Sequence, residues 1–179
     1  MVVGRDPYRP ILDGEIAAAI GELVATLSGI QMGLAVLMAD LSAGRNLDIN
    51  NPNDLIALMP LMGMDPRAQV GILKTLLLQR LPRHEAVLLV KLLERIYAIK
   101  RIRDKVAHGI WEKNPKTGRM FALSLKTTHP AKLIRTHFTG PHLRDLAGEL
   151  DDLFCQLLDS VQPHGYLTSN FDSWRGKRP

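Results

Sequence analysis

The sequence predicts an all-α protein, an up-and-down bundle of four to five helices with a small β-hairpin inserted before the last long helix. Its composition, 46% hydrophobic and 23% charged, is typical of a soluble globular domain. Only 5% of the residues are aromatic, and Leu, Ile, Ala and Met dominate, which favours helix packing over a strand-rich sandwich. Because 179 residues suit one core, we expect an arm at 1–12, one domain at 13–162 and a tail at 163–179.

The first helix is predicted from Glu15 to Ser42, with Asp13 as its N-cap. Its run from Leu23 to Ala39 is uncharged, but seventeen residues are the lower limit for a membrane span, so a buried helix of a soluble protein is favoured. Small residues recur every fourth position, a ridge on which another helix can approach closely: Ala17, Gly21, Ala25, Gly29 and Gly33.

Three further helices are predicted in the middle of the chain. Asn51-Pro52 and Asp65-Pro66 each resemble an N-cap followed by proline at the first helical position, and they begin helices that extend to about Leu58 and Leu81. Pro60 and Pro82 should end or kink these helices. The next helix, residues 83–108, has one apolar stripe, and Gly109 ends it; the stripe comprises Leu89, Leu92, Ile96, Ile99 and Val106.

A hairpin and a final helix complete the prediction. Residues 110–113 and 120–126 flank a Pro- and Gly-containing turn, and Phe121, Leu123 and Leu125 alternate along the second run, which is typical of paired strands. Thr139-Gly140-Pro141 begins a last helix that extends to about Val161, with leucines at helical spacing. Cys155 lies on the apolar side of this helix, so we expect a core residue and not a nucleophile.

Several classes of site are excluded by the residues themselves. A single cysteine permits neither an internal disulfide nor a Cys-based zinc site, which favours a cytoplasmic protein. His129, His137 and His142 lack the spacing of a zinc pair, so no metal is expected. The sequence has no phosphate-binding glycine loop, nucleophile elbow or dinucleotide fingerprint.

Positive charge is concentrated in one quarter of the chain. Residues 100–144 hold eleven Lys and Arg against Asp104 and Glu112, a net charge of +9, whereas residues 1–99 carry −1 and 145–179 carry −3. Such a basic segment predicts a polyanionic partner, with nucleic acid first and an acidic membrane surface second. The alternative is a solvated face whose charges are paired with acidic residues elsewhere.

Arg103 falls within the apolar stripe of its helix, where an unpaired guanidinium is costly. Two interpretations remain open: an internal carboxylate, such as one from the last helix, pairs with it, or it waits for an anionic ligand. His108 lies about 140° around an ideal helix from Arg103, so the two converge only if the helix distorts or a second subunit contributes. His108 is alternatively an ordinary helix C-terminal histidine.

The string Arg103-Asp104-Lys105-Val106-Ala107-His108 resembles the R-x4-6-H signature of the HEPN superfamily, whose all-α domains include many metal-independent ribonucleases. The resemblance implies RNA cleavage through the 2′-hydroxyl, with His108 moving the proton and Arg103 binding the phosphate. Asp104, the third catalytic candidate, either orients the histidine, raises its basicity, or merely interacts with neighbouring Arg or Lys side chains. The resemblance also implies no cofactor, a homodimer that pairs two motifs, and a toxin or defence role with a possible acidic antitoxin. The products would be a 2′,3′-cyclic phosphate and a 5′-hydroxyl.

Six cations near this motif are predicted to contact phosphates: Lys100, Arg101, Lys105, Lys113, Lys116 and Arg119. Trp111 either stacks a base or, as we favour, packs the hairpin onto the bundle. The competing hypothesis is a non-catalytic module that binds nucleic acid, a nucleotide or a protein through the same basic face. A membrane-surface protein is a third, less favoured interpretation.

Overall fold

The computed structural model describes residues 12–48, 50–126 and 132–166. Within these ranges the chain forms five α-helices, three β-strands and a short 3-10 turn. The helices are α1 (Gly14–Ala43), α2 (Pro52–Met62), α3 (Pro66–Arg80), α4 (Arg83–His108) and α5 (Gly140–Val161). The strands are β1 (Ile110–Lys113), β2 (Met120–Lys126) and β3 (Lys132–His137), and the 3-10 turn is Gln162–His164.

Contacts along the backbone divide the chain into two compact units. The first, called the sheet unit, comprises residues 1–25 and 101–147, and the second, called the helical unit, comprises residues 26–100 and 148–179. The predicted domain limits at 13 and 162 stay a prediction, since most of the residues beyond them lie outside the described ranges.

The sheet unit contains one antiparallel sheet in the order β1-β2-β3. A tight turn joins β1 to β2: the Asn114 side chain accepts hydrogen bonds from the backbone N–H groups of Lys116 and Thr117, and Gly118 takes the positive φ of 71° that closes the turn. On one face of β2, Met120 and Ala122 are buried. The register places Phe121, Leu123 and Leu125 on the opposite face, which we call the outer face.

The helical unit is built on long apolar stripes. Leu34–Leu41 of α1 are buried without interruption, and α5 contributes a fully buried Phe154. Gly33 marks a close approach between these two helices, because a Cβ there would lie 2.1 Å from Cζ of Phe154. Gly21, another member of the small-residue ridge predicted on α1, has nothing within 4 Å of an added Cβ. Of these two positions, only Gly33 therefore requires glycine for packing.

Two buried carboxylates hold the loop that follows α1. Asp40 accepts a hydrogen bond of 2.8 Å from the backbone N–H of Leu47. Asp54 receives both Nη atoms of Arg45, at 2.6 and 3.1 Å, and the backbone N–H of Asp48 at 3.0 Å. These contacts satisfy acceptors that would be costly to bury unpaired, and they fix the entry into α2.

The predicted N-caps are confirmed. Asp13, Asn51 and Asp65 each accept a hydrogen bond from the backbone N–H two residues further on, at 2.9 to 3.0 Å. Pro60 does not end α2, which continues to Met62. The carbonyl left without its helical donor is that of Ile56, whose residue is 64% exposed, so water can satisfy it.

One further prediction needs correction. The predicted hairpin is the first two strands of a three-stranded sheet, because residues 132–137 pair with β2 as a third strand.

The first residues of the predicted tail form a 3-10 turn that Gly165 closes. Within this turn, His164 lies 2.6 Å from Glu85. The flexible tail as a whole stays a prediction.

Helix α1 is long and apolar enough to cross a membrane by length and composition alone. The core helix of a soluble protein passes the same test, and 44% of its most apolar stretch is buried in the protein. Its buried residues in the helical unit, Leu34 to Leu41, agree with the core role predicted from the sequence.

Candidate nucleic-acid interface

The end of α4 and the start of β1 are joined by a close backbone approach at Gly109. A Cβ on this residue would lie 2.2 Å from the carbonyl oxygen of Lys105, so only glycine fits without displacing the helix end. Two residues later, the indole Nε1 of Trp111 donates a hydrogen bond of 3.0 Å to the carbonyl of Val106. Its ring also meets Phe138 edge to face. Trp111 therefore anchors β1 to α4, as we favoured from the sequence.

Arg103 is largely buried, with 16% of its side chain exposed. Its Nη1 lies 3.2 Å from Oδ1 of Asp104, so the partner is the next residue on α4 and not a carboxylate of the last helix. Its Nε is buried and has no hydrogen-bond partner among the described residues. A buried guanidinium N–H without an acceptor is costly, which leaves Arg103 with capacity to bind a further anionic or carbonyl oxygen.

His108 is the last residue of α4 and is exposed. Its imidazole makes no hydrogen bond or ion pair with the part of the chain that the structure describes. Asp104 pairs with Arg103, which is one of the alternatives that the sequence left open for this carboxylate. The monomer thus contains the two residues of the motif, one largely buried and one at the surface, without a side-chain link between them.

Most of the cations predicted to contact phosphate are exposed and unpaired. Arg101, Lys105, Lys113, Lys116 and Arg119 are exposed and form no ion pair with any described residue. Lys100 differs, because it is half-buried with its ammonium 6.0 Å from the ring centroid of Tyr97. For these five residues, the alternative of a face neutralised by acidic partners does not hold within the described ranges, and their charge is available to a polyanion.

Sequence reasoning missed the residues that β3 brings to the outer face. Arg135 pairs with both carboxylate oxygens of Glu112 at 2.5 Å, and the ring of His137 lies 5.4 Å from that of Phe121. Together with the turn they surround a depression of about 330 Å³, lined by Glu112, Asn114, Pro115, Lys116, Phe121 and Arg135. The sequence offered no clear strand signal here, because Leu133, Arg135 and His137 share one face but mix apolar and polar side chains.

Three histidines of the basic segment, His129, His137 and His142, bear on metal binding. His129 lies outside the described residues, whereas His137 and His142 contact the rings of Phe121 and Phe138. Across the ranges the structure covers, no three His, Cys, Asp or Glu side chains gather in a way that would hold a metal ion. Cys155 is buried, as predicted for a core residue.

No family model, curated protein or solved structure matches this chain.

Proposed function

We propose that this protein is a metal-independent endoribonuclease that works from the C-terminal end of α4. The observation that carries the proposal is the set of five exposed cations, Arg101 to Arg119, that have no ion pair within the described residues and occur in the same short stretch as His108. Unpaired cations bind the phosphate backbone of a nucleic acid by releasing its counterions. A HEPN-like helical bundle is the fold that the resemblance adds to this proposal.

The chemistry assigns one role to each residue of the motif. RNA carries its own nucleophile, the 2′-hydroxyl, so the protein needs to move protons and stabilise charge on the phosphate. His108 is an exposed imidazole, a group suited to accept or return a proton. Arg103 stabilises the phosphate oxygens through its guanidinium charge, which the 16% of its side chain that is exposed can present to them. In this proposal Asp104 positions Arg103, with which it pairs at 3.2 Å.

In this proposal a second copy of the chain brings Arg103 and His108 together. His108 and Arg103 belong to different faces of one helix, and paired motifs across a homodimer bring an arginine of one copy to a histidine of the other. An acidic antitoxin covering the basic residues, and a cytoplasmic location, belong to the same proposal.

The test is RNA cleavage in EDTA by the wild-type chain and by His108→Ala. We expect fragments with 2′,3′-cyclic phosphate and 5′-hydroxyl ends from the wild type, and a loss of about 10²–10⁴-fold in the variant. His84→Ala is the matched control, because its side chain is 80% exposed and lies in the helical unit. Equal cleavage by His108→Ala and wild type would contradict the assignment.

A non-catalytic nucleic-acid-binding module is the second candidate, favoured by the absence of a described side-chain partner for His108. In that case no RNA is cleaved by either protein, while both bind RNA with the same dependence on salt. Measuring binding beside cleavage separates the two candidates.

A further inference from the structure

The outer face of the sheet is open and largely apolar, although it belongs to a strongly basic part of the chain. Ile110, Leu125 and Leu133 are 73%, 63% and 57% exposed, and all three are on this face by register. Residues 110–137 include six Lys and Arg against Glu112 alone. An apolar face carried by a segment with a net charge of +5 suits a ligand that combines flat apolar groups with negative charge.

The depression on this face contains the groups that such a ligand requires. Phe121 is partly exposed and offers an aromatic surface, and Lys116 is exposed and unpaired within the described residues. Asn114 uses its Oδ1 for the turn, while its Nδ2 donor has no partner in the described part of the chain. An aromatic ring, a free amide donor and a free ammonium match the base, the base edge and the phosphate of a nucleotide.

We infer that this depression is a subsite for one unpaired nucleotide of an RNA strand, with the base stacked on Phe121 and the adjacent phosphate on Lys116. The volume of about 330 Å³ lies at the lower end of small-ligand pockets, about 300–1,000 Å³. Arg135 is held by Glu112 at the same site, so it presents a planar cation in a fixed position beside the base. The choice of RNA rests on the proposed function, but the subsite itself needs no catalytic residue.

The subsite predicts a preference for single strands. In a duplex the base faces are covered by stacking, so Phe121 has nothing to bind, and the base edges are paired. A single strand exposes both, and base–aromatic stacking contributes about 1–3 kcal/mol per base. A strand lacking its bases retains the phosphates and loses that contribution.

The experiment measures affinity by fluorescence anisotropy with a short labelled 2′-O-methyl oligoribonucleotide, which lacks the free 2′-hydroxyl and is not cleaved. We compare Phe121→Leu, which keeps apolar volume but removes the ring, with Leu133→Ala, a control on the same face outside the depression. Phe121→Leu is expected to bind about 5- to 140-fold more weakly, and Leu133→Ala as the wild type does. Phe121→Tyr keeps the ring and is expected to restore affinity.

An abasic strand of the same length isolates the stacked base. Wild type and Phe121→Leu are expected to bind it equally, and Lys116→Gln is expected to reduce the slope of log affinity against log salt by about 0.7 on both strands. Thermal unfolding of each variant, followed by circular dichroism, identifies any loss caused by misfolding.

Two binding outcomes overturn the subsite: Phe121→Leu binds the base-containing strand as tightly as the wild type does, or the wild type binds both strands equally. A third outcome also overturns it: the wild type is a dimer, and Phe121→Leu and Leu133→Ala are both monomers. The last result would make the face an interface between copies. If the wild type binds the strand through Phe121 but cleaves no unmodified RNA, the proposed function fails and the subsite stands. If the wild type cleaves RNA and Phe121→Leu binds the strand normally, the subsite fails and the proposed function stands.

Discussion

The two units differ in where their unpaired cations lie. Both contain ion pairs, such as Arg45–Asp54 and Arg95–Glu149 in the helical unit and Arg135–Glu112 and Arg144–Glu15 in the sheet unit. In the sheet unit, five exposed cations between 101 and 119 also gather in one short stretch without a described ion-pair partner. Paired charges add modestly to stability, whereas a cluster of unpaired like charges costs stability and gains a long-range field. The charge of this stretch is therefore available to the nucleic-acid partner that we propose.

Two carboxylates of the helical unit, Asp54 and Glu149, have lowered pKa values. The Arg45 guanidinium and the backbone N–H of Asp48 lower the pKa of Asp54 from 3.8 to about 2. Arg95 lowers the pKa of Glu149 in the same way, through a hydrogen-bonded pair. In each pair the neighbouring arginine stabilises the charged form of the carboxylate, so both carboxylates contribute to the stability of the helical unit.

The largest expected effect is at the junction of α4 and β1. Gly109→Ala places a methyl group 2.2 Å from the backbone carbonyl oxygen of Lys105, which no side-chain rotation relieves. We expect a loss of about 3 kcal/mol or more in the free energy of unfolding, at the upper end for overpacking. Urea denaturation followed by Trp111 fluorescence, in a background with Trp174→Phe, measures this loss. Gly148→Ala, which meets open space, is the control, and equal stability of the two variants would contradict the argument.

A comparable test within α1 sharpens the contrast between its two ends. Gly33→Ala drives a Cβ into the ring of Phe154 and is expected to destabilise the protein by about 1–3 kcal/mol. Gly21→Ala meets nothing within 4 Å and is expected to stabilise it by about 0.5–1 kcal/mol, because alanine is the better helix former. The difference in urea midpoint between the two variants measures the contact. Two shifts of the same sign would show that the glycines are equivalent.

The helices were predictable because their signals are local. The N-cap at Asp13, the Asp65-Pro66 start of α3 and the stripe of α4 each specify a helix through neighbouring residues. The β3 strand has no such signal, since its residues alternate between exposed and half-buried and it places none in the core. Only its pairing with β2 makes it a strand, and that contact is nonlocal.

The candidate site was predictable in composition but not in contacts. The charge count identified the basic stretch, and periodicity placed Arg103 within an apolar stripe. The choice between Asp104 and a carboxylate on the last helix depends on side-chain rotamers, which spacing on an ideal helix does not specify. The depression near Phe121 is lined in part by Arg135 of β3, so it could not be predicted without predicting that strand.

A charge-matched pair of triple variants tests which unit binds nucleic acid. Lys113→Gln, Lys116→Gln and Arg119→Gln together are expected to reduce the salt slope for single-stranded RNA by about 2 and to change stability by less than about 0.5 kcal/mol. Arg67→Gln, Arg83→Gln and Lys91→Gln remove the same charge from exposed residues of the helical unit. Anisotropy across a salt series measures both. Equal slopes for the two triple variants would mean that net charge alone, and not the basic stretch, drives binding.

The smallest effect concerns acid stability. Because the folded-state pKa of Asp54 is lowered, the stabilisation from this carboxylate is complete above its ordinary value of 3.8 and is lost as pH falls toward about 2. Asp54→Asn should therefore lower the urea midpoint at neutral pH, and its deficit relative to the wild type should shrink over this acid range. Asp13→Asn, an exposed cap whose amide still accepts a hydrogen bond, is the control. A deficit that stays constant down to pH 2 would mean that the pair with Arg45 contributes packing and not charge. The ion pairs of the helical unit would then not be a source of electrostatic stability.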